Sequence, residues 1–318
     1  MHHYDVFMDL KVGISVVVPV YRSEQTLTEL VERISNAIAP SQHEILLIDD
    51  ASGDGTWNKI CTLASADLKV RGIRLSRNSG QHSALLAGVR LAKYSIVVTL
   101  DDDLQNPPEE IPHLVQVLSS DVDVVYGVSD QVKQSLFRRL MSRFARMLFS
   151  SLLDFKIAVS MSAFRAFRTN LRDGFDSSLG PNISIDALLT WSTSRFATVN
   201  VKHAKRRSGN SHYTLRKLLR FMIDMATGYS TTPLRLATSI GFATIGFGLL
   251  LLFYVAGRPL ISGSKVPGFP LLASSIIIFS GVQIFLLGVL GEYIGRMHFR
   301  VMNKPTYLIA ETTKQDRE

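Results

Sequence analysis

The stretch Thr99–Glu110 reads TLDDDLQNPPEE, with three consecutive carboxylates directly after an apolar run. At the end of a buried strand such charges repel one another and lose hydration, so the arrangement makes sense when something positive sits among them. Asp101 and Asp103 are separated by one residue. In an extended segment alternate side chains share a face, so both can approach one hard cation while Asp102 points away. Such a cation takes oxygen ligands and commonly completes its shell with substrate phosphates, neutralising carboxylates and diphosphate together. The same spacing also fits an exposed acidic turn in which Asp103 caps the next helix. Spacing alone does not separate the two.

A second acidic pair, Asp49 and Asp50, closes the apolar run EILLIDDAS ahead of the turn GDGT. Carboxylates there can mark a ligand cleft, or can cap the helix that follows. Two segments concentrate cations. In Ser135–Leu153, Arg138, Arg139, Arg143 and Arg146 alternate with apolar residues, as in a basic amphipathic helix lying on an anionic membrane surface. In His203–Thr232, Arg206, Arg207 and His212 form a group suited to phosphate, since arginine binds phosphate oxygens in bidentate fashion. A solvated basic face or surface turn is the alternative for each.

The elements that must position these groups alternate along the chain. Gly13–Tyr21, Glu44–Ser52, VRGIRLS, Ser95–Leu100 and VDVVYGV read as strands. Ser23–Ala39, Trp57–Ala66, Gln81–Ala92 and Pro107–Leu118 read as helices. This alternation predicts an α/β domain with a mostly parallel sheet covered on both faces. Ligands of such sheets bind beyond the carboxyl ends of the strands, so Asp49–Asp50 and Asp101–Asp103 should converge on one crevice.

The chain has 318 residues, enough for about two domains. Its net charge of +8 and pI near 9.6 favour an anionic partner. Nucleic acid is excluded as that partner: no recognition module is present, and the cations crowd around two long apolar runs. Leu236–Gly257 and Val266–Gly291 carry no charge, and each exceeds the ~20 residues that a helix needs to cross a bilayer. A transmembrane hairpin is expected, with spans near 236–257 and 268–291. Arg216, Lys217, Arg220 and Arg235 precede it, and Arg296, Arg300 and Lys304 follow it, while the connection holds only Arg258 and Lys265. The positive-inside rule then places both termini in the cytoplasm. The N-terminal residues lack the apolar core of a signal peptide. Cys61 is the single cysteine, so neither a disulfide framework nor a thiolate metal site is expected.

Taken together, the stretches VVPVYRSEQTL, EILLIDDASGDGT, LSRNSGQHSALLAG, TLDDDLQNPPEEIP, SAFRAFR, HAKRRSGNSHYTLRKL, TTPLRL and GEYIGR resemble the inverting glycosyltransferases of family 2. The resemblance is to the polyprenyl-phosphate branch, the dolichol-phosphate-mannose-synthase and bactoprenol-glucosyltransferase type, and covers nearly the whole chain. It implies an A-type nucleotide-sugar (Rossmann-like) domain with amphipathic interfacial helices and a two-helix membrane hairpin. By that resemblance Pro19, Tyr21 and Glu24 match the first nucleotide-contacting loop, and Asp49 and Asp50 the pair reaching the uridine or ribose. Arg77, Asn78, Gly80 and Gln81 precede a helix N-terminus that favours the donor's anionic end. Asp101 and Asp103 match the motif holding the diphosphate through Mg2+ or Mn2+, with Gln105 on the sugar side. Arg206, Ser211, His212 and Tyr213 match the stretch expected to receive the acceptor phosphate. The chain departs from pattern at Arg22, where many relatives have Asn, at His212, where they often have Lys, and at Ala163, where some carry a carboxylate.

The resemblance implies a glycosyltransferase at the inner membrane that moves a hexose, glucose from UDP-glucose, onto undecaprenyl or another polyprenyl phosphate at the cytoplasmic face. A homo-oligomer is expected by the same resemblance. Asp154 or Asp186 is expected to orient the acceptor. The expected organisation is a catalytic domain over 1–212, a juxtamembrane helix over 213–233, the hairpin over 234–295 and a cytoplasmic tail over 296–318. A processive polysaccharide synthase would need more spans, and a non-catalytic sugar-nucleotide-binding protein would not need the Asp101/Asp103 pair.

Overall fold

The computed structural model describes residues 13–129, 162–175, 184–202, 232–262, 268–302 and 305–313. These fall into two compact units: the described residues up to 202 together with 305–313, and those from 232 to 302.

The first unit is built on an eight-stranded sheet. Its first half alternates as the sequence predicts: β1 (Ile14–Val20), α1 (Leu27–Ile38), β2 (His43–Asp49), α2 (Thr56–Ala66), β3 (Val70–Leu75), α3 (Gln81–Leu91), β4 (Ile96–Thr99). A 3-10 turn, Pro108–Glu110, leads into α4 (Ile111–Val117) and β5 (Val124–Ser129). Then follow β6 (Arg165–Arg168), α5 (Ile185–Ser192), β7 (Phe196–Val201) and β8 (Ile309–Thr312). Strand order across the sheet is β7-β5-β6-β4-β1-β2-β3-β8.

β1 and β2 are buried along their whole length, which is why their sequences are continuous Val/Ile/Leu runs rather than alternating ones. α1 presents Leu27, Leu30, Ile34 and Ile38 to one face of the sheet, and α3 presents Leu85, Leu86 and Val89 to the other. A Cβ at Gly88 would lie 2.3 Å from the Val17 side chain, so glycine is what lets α3 press onto β1. From β1 the chain steps outward through β2 and β3, then returns to β4 on the opposite side of β1. The order reverses between β1 and β4, and that switch point opens a crevice at their carboxyl ends.

Four of the seven pairings between the described strands are parallel, and the sheet is mixed. β6, formed by the RAFR of SAFRAFR, runs antiparallel to both β4 and β5. The segment expected as a tail over 296–318 contributes a strand to this sheet. Its residues Ile309–Thr312 pair antiparallel with β3, so the strand edge that β3 would leave open is covered from the far end of the chain.

The second unit is two long helices, α6 (Thr232–Ser262) and α7 (Gly268–Val301), packed on each other. A Cβ at Gly248 of α6 would meet the Phe279 ring of α7 at 2.9 Å, so glycine again permits the close approach. Apolar side chains including Phe242, Leu250, Ile284 and Leu287 remain largely uncovered by protein. Within α7 the segment Ile278–Gly295 is long and apolar enough to cross a membrane; α6 contains a shorter apolar stretch, Leu234–Leu250. The basic segment Ser135–Leu153, Asp154, and Arg206, Arg207, Ser211, His212 and Tyr213 lie outside the described residues.

Candidate active site

Four loops at the carboxyl ends of β1 to β4 enclose a cleft of about 350 Å³. Pro19, Val20 and Tyr21 line it from β1, Asp50 from β2, Asn78, Gly80 and Gln81 from the loop before α3, and Asp101, Asp102 and Asp103 from the turn after β4. The two acidic groups do converge. Glu24, Asp49, Arg77 and Gln105 stand beside the cleft rather than on its wall.

The three consecutive aspartates do different work. β4 ends at Thr99, so they form a turn, not an extended strand. Asp102 turns toward the β1 loop. Its Oδ2 accepts the Tyr21 N–H at 3.1 Å and the Ser23 hydroxyl, and its carbonyl accepts the Thr26 hydroxyl at 2.9 Å. Burial raises its pKa, with Ser23 and Tyr21 opposing and Asp103 adding to the rise. Asp101 Oδ1 accepts the Gln81 side-chain amide at 2.6 Å. Asp103 accepts the Gln105 N–H at 3.1 Å and its side-chain amide at 2.7 Å. Gln105 thus serves Asp103 here.

Asp50 holds the loop before α3. Its two oxygens accept the N–H groups of Ser79 at 2.7 Å and Gly80 at 2.8 Å. Burial raises its pKa against the pull of those two N–H donors, and the neighbouring Asp49 adds to the rise. Gly80 sits at φ 88°, a conformation that glycine adopts without a Cβ penalty. Asp49 is fully buried. Its Oδ1 accepts the Ser52 N–H at 3.1 Å and the Ser52 hydroxyl, and its Oδ2 lies 3.6 Å from Arg74 Nε. The Ser52 hydroxyl oxygen in turn accepts the Arg22 N–H at 3.0 Å.

Three non-glycine residues in these loops occupy left-handed backbone: Arg22 (φ 55°), Ala51 (φ 54°) and Leu104 (φ 59°). Each costs roughly 1–3 kcal/mol and persists only where its surroundings fix it. Around this cleft the fixing comes from Ser52 for the Arg22 loop and from the buried Leu104 side chain for the aspartate turn.

A buried polar network underlies the aspartate turn. Arg165, 1% exposed, pairs with Asp186 and donates to the Thr99 hydroxyl at 3.0 Å; Thr99 donates to the Ala163 carbonyl at 2.7 Å. Asp186 also accepts the Tyr126 hydroxyl at 3.0 Å, and burial, with the Asp186 charge, pushes that phenol far above its ordinary range. Asp186, expected to orient an acceptor, is here the countercharge of a buried guanidinium. His82 has an enclosed Nδ1 with no hydrogen-bond partner, and burial lowers its pKa, as does the Arg165 charge. Neither this network nor the Trp57–Arg74–Glu311 cluster at the sheet edge was foreseen from sequence. The RAFR segment carried the one available signal, a charged residue in an apolar run.

Asp101 and Asp103 suit a hard divalent cation. They offer side-chain oxygens on one cleft wall, and neutral amides now donate to the oxygens that a cation would take. Among the described residues no three His, Cys, Asp or Glu side chains are placed to hold one metal ion together, so such a cation would complete its shell from outside the protein, as Mg2+ and Mn2+ commonly do.

Comparison with known proteins agrees with this architecture. Residues 15–175 match the family model described as Glycosyl transferase family 2. An undecaprenyl-phosphate 4-deoxy-4-formamido-L-arabinose transferase from Yersinia pestis is 34% identical over 96% of this chain and 96% of its own length. The protein of the same name from Aeromonas hydrophila is 36% identical over 96% and 95%. Among solved structures, glucosyl-3-phosphoglycerate synthase from Mycobacterium tuberculosis, in complex with Mn2+, UDP-glucose and phosphoglyceric acid, superposes with a TM-score of 0.51 at 21% identity. That match covers 68% of this chain and 78% of the other, and it concerns the fold. With its aspartates gathered at the switch point of a mixed α/β sheet, the chain belongs to glycosyl transferase family 2 and is a glycosyltransferase.

Proposed function

We propose that this enzyme transfers a sugar from a UDP-sugar to a polyprenyl phosphate, undecaprenyl phosphate in particular, at the cytoplasmic face of the inner membrane. The observation that carries the reading is the joining of Asp101 and Asp103 with the Asp50-held loop in one cleft, on a chain that also bears two long apolar helices. The relatives' names support the lipid acceptor.

The nucleoside end of the donor lies against Pro19, Tyr21 and Glu24, with Asp49 and Asp50 beneath. The diphosphate lies toward Arg77, Asn78, Gly80 and Gln81 at the start of α3. Mg2+ or Mn2+ on Asp101 and Asp103 would neutralise the departing diphosphate. Gln105 faces the sugar. Arg206, Ser211, His212 and Tyr213 hold the acceptor phosphate. A phosphate oxygen is already anionic at neutral pH. It attacks the anomeric carbon opposite the UDP, the new carbon–oxygen bond forms as the old one breaks, and the configuration inverts. No proton needs removing, so the protein contributes alignment and charge neutralisation. This fits a site in which Asp186 is committed to Arg165 and position 163 is alanine.

For the sugar, the motif resemblance points to glucose, while the relatives' names point to 4-deoxy-4-formamido-L-arabinose. The reading therefore covers UDP-linked pyranoses of both kinds. Purified protein with undecaprenyl phosphate, Mn2+ and each labelled donor in turn tests it, scored by lipid-linked product. Labelled lipid from neither donor would count against it. For topology we propose α6 and α7 as a hairpin with both termini cytoplasmic. A reporter within residues 262–265 should then read as external.

A further inference from the structure

We infer that Glu311, on the strand following the membrane helices, is a positioning residue for nucleotide binding, acting on the first cleft loop through Arg74, Asp49 and Ser52. The inference rests on the reading that the cleft takes a nucleoside diphosphate. The contacts form an unbroken series. Arg74 Nη1 donates to Glu311 Oε1 at 3.1 Å, and Arg74 Nε lies 3.6 Å from Asp49 Oδ2. The other Asp49 oxygen accepts both the N–H and the hydroxyl of Ser52, whose hydroxyl oxygen accepts the N–H of Arg22. Arg22 stands in left-handed backbone directly after Tyr21, which lines the cleft.

Each link has a physical reason to transmit position. Asp49 is fully buried, and a buried carboxylate needs a fixed countercharge. Arg74 supplies it but is about one-third exposed, so its long side chain stays only where something holds it. Glu311 does the holding. Its second oxygen accepts the Trp57 indole N–H at 2.8 Å, and the Arg74 guanidinium lies 6.0 Å over the Trp57 ring. The strand itself is fastened on either side of Glu311: Ser76 N–H donates to the Leu308 carbonyl at 2.8 Å, and Gly72 N–H to the Thr313 hydroxyl at 2.8 Å. Without the Glu311 charge, Arg74 moves toward solvent, Asp49 loses its orientation, Ser52 loosens and the strained Arg22 relaxes. Tyr21 then shifts against the nucleoside. The series reaches the aspartate turn only at Asp102, through the Tyr21 N–H, whereas Asp101 and Asp103 are held by Gln81 and Gln105.

The test uses full-length protein in detergent and calorimetry with two probes, UDP with Mn2+ and inorganic pyrophosphate with Mn2+. Glu311→Gln should weaken UDP binding by about twofold to thirtyfold, the span of coupling through such networks, with pyrophosphate binding unchanged and the thermal midpoint lowered, as the buried Asp49 carboxylate loses its fixed countercharge. In turnover, donor KM should rise by that factor with kcat retained. In an Arg74→Gln background the same change should have no further effect on UDP, because its route is gone. Equal UDP affinity of parent and Glu311→Gln would overturn the inference, as would equal losses for both probes or an undiminished effect without Arg74. A parent protein that binds pyrophosphate but not UDP would instead overturn the nucleotide reading itself.

Discussion

Asp50 and Gly80 meet at the floor of the cleft: the Asp50 carboxylate accepts the Gly80 N–H at 2.8 Å while its other oxygen takes the Ser79 N–H at 2.7 Å. A residue at the end of β2 thereby fixes the loop that opens α3, thirty positions away. An asparagine can accept only one of these N–H groups and must present an NH2 to the other. Asp50→Asn should therefore lower stability by about 1–3 kcal/mol, the cost of a buried donor left unmet. UDP affinity should fall with it. Thermal unfolding and calorimetry on one preparation check both.

The three neighbouring aspartates should separate on substitution. Asp101→Asn and Asp103→Asn should each abolish Mn2+-dependent UDP binding and most turnover, with the fold retained. Asp102→Asn should leave Mn2+ binding near the parent, because Asp102 serves Tyr21 and Ser23. Mn2+ titration followed by electron paramagnetic resonance distinguishes them. Equal loss at all three positions would contradict the division of roles.

Arg165 and Asp186 give a stability prediction. Asp186→Asn leaves a guanidinium that is 1% exposed without its carboxylate. The loss should be about 3–5 kcal/mol, and replacing Arg165 by methionine as well should recover a large part of it. Thermal midpoints of parent, single and double variants check this.

His82 sets a pH signature. Burial holds its imidazole below the ordinary value, so between that lowered value and about 6.5 the unfolded chain binds a proton that the folded one refuses. Its contribution to stability is present above about pH 6.5 and is lost as pH falls toward the folded value. His82→Gln should unfold with a smaller drop in midpoint than the parent over that window. A parallel pH dependence in both proteins would show that His82 does not titrate this way.

Much of this was legible in sequence because it is local. Asp101 and Asp103 could be placed at a strand end because SIVVTL is an unbroken buried strand with a turn behind it. The α1 stripe and the glycine before α3 were readable for the same reason. What escaped was non-local. Nothing near Asp50 announces that its partners are the N–H groups of Ser79 and Gly80. Asp102 looked like a spare carboxylate because its partners lie on the β1 loop. The strand Ile309–Thr312 is four exposed residues with little pattern, and only the open edge of β3 makes it a strand. The pairing of Arg165 with Asp186 joins β6 to α5, a contact that periodicity does not encode.

Anomeric analysis of the lipid product is the most direct measurement of the central claim. Purified full-length protein is given undecaprenyl phosphate, Mn2+ and an α-linked UDP-sugar, and the isolated lipid is examined by NMR at the anomeric carbon. Direct attack by the acceptor phosphate predicts a β-linked sugar phosphate, formed by the parent and absent with Asp103→Asn. An α-linked product would contradict single displacement, and lipid product formed at the parent rate by Asp103→Asn would contradict the placement of the chemistry in this cleft.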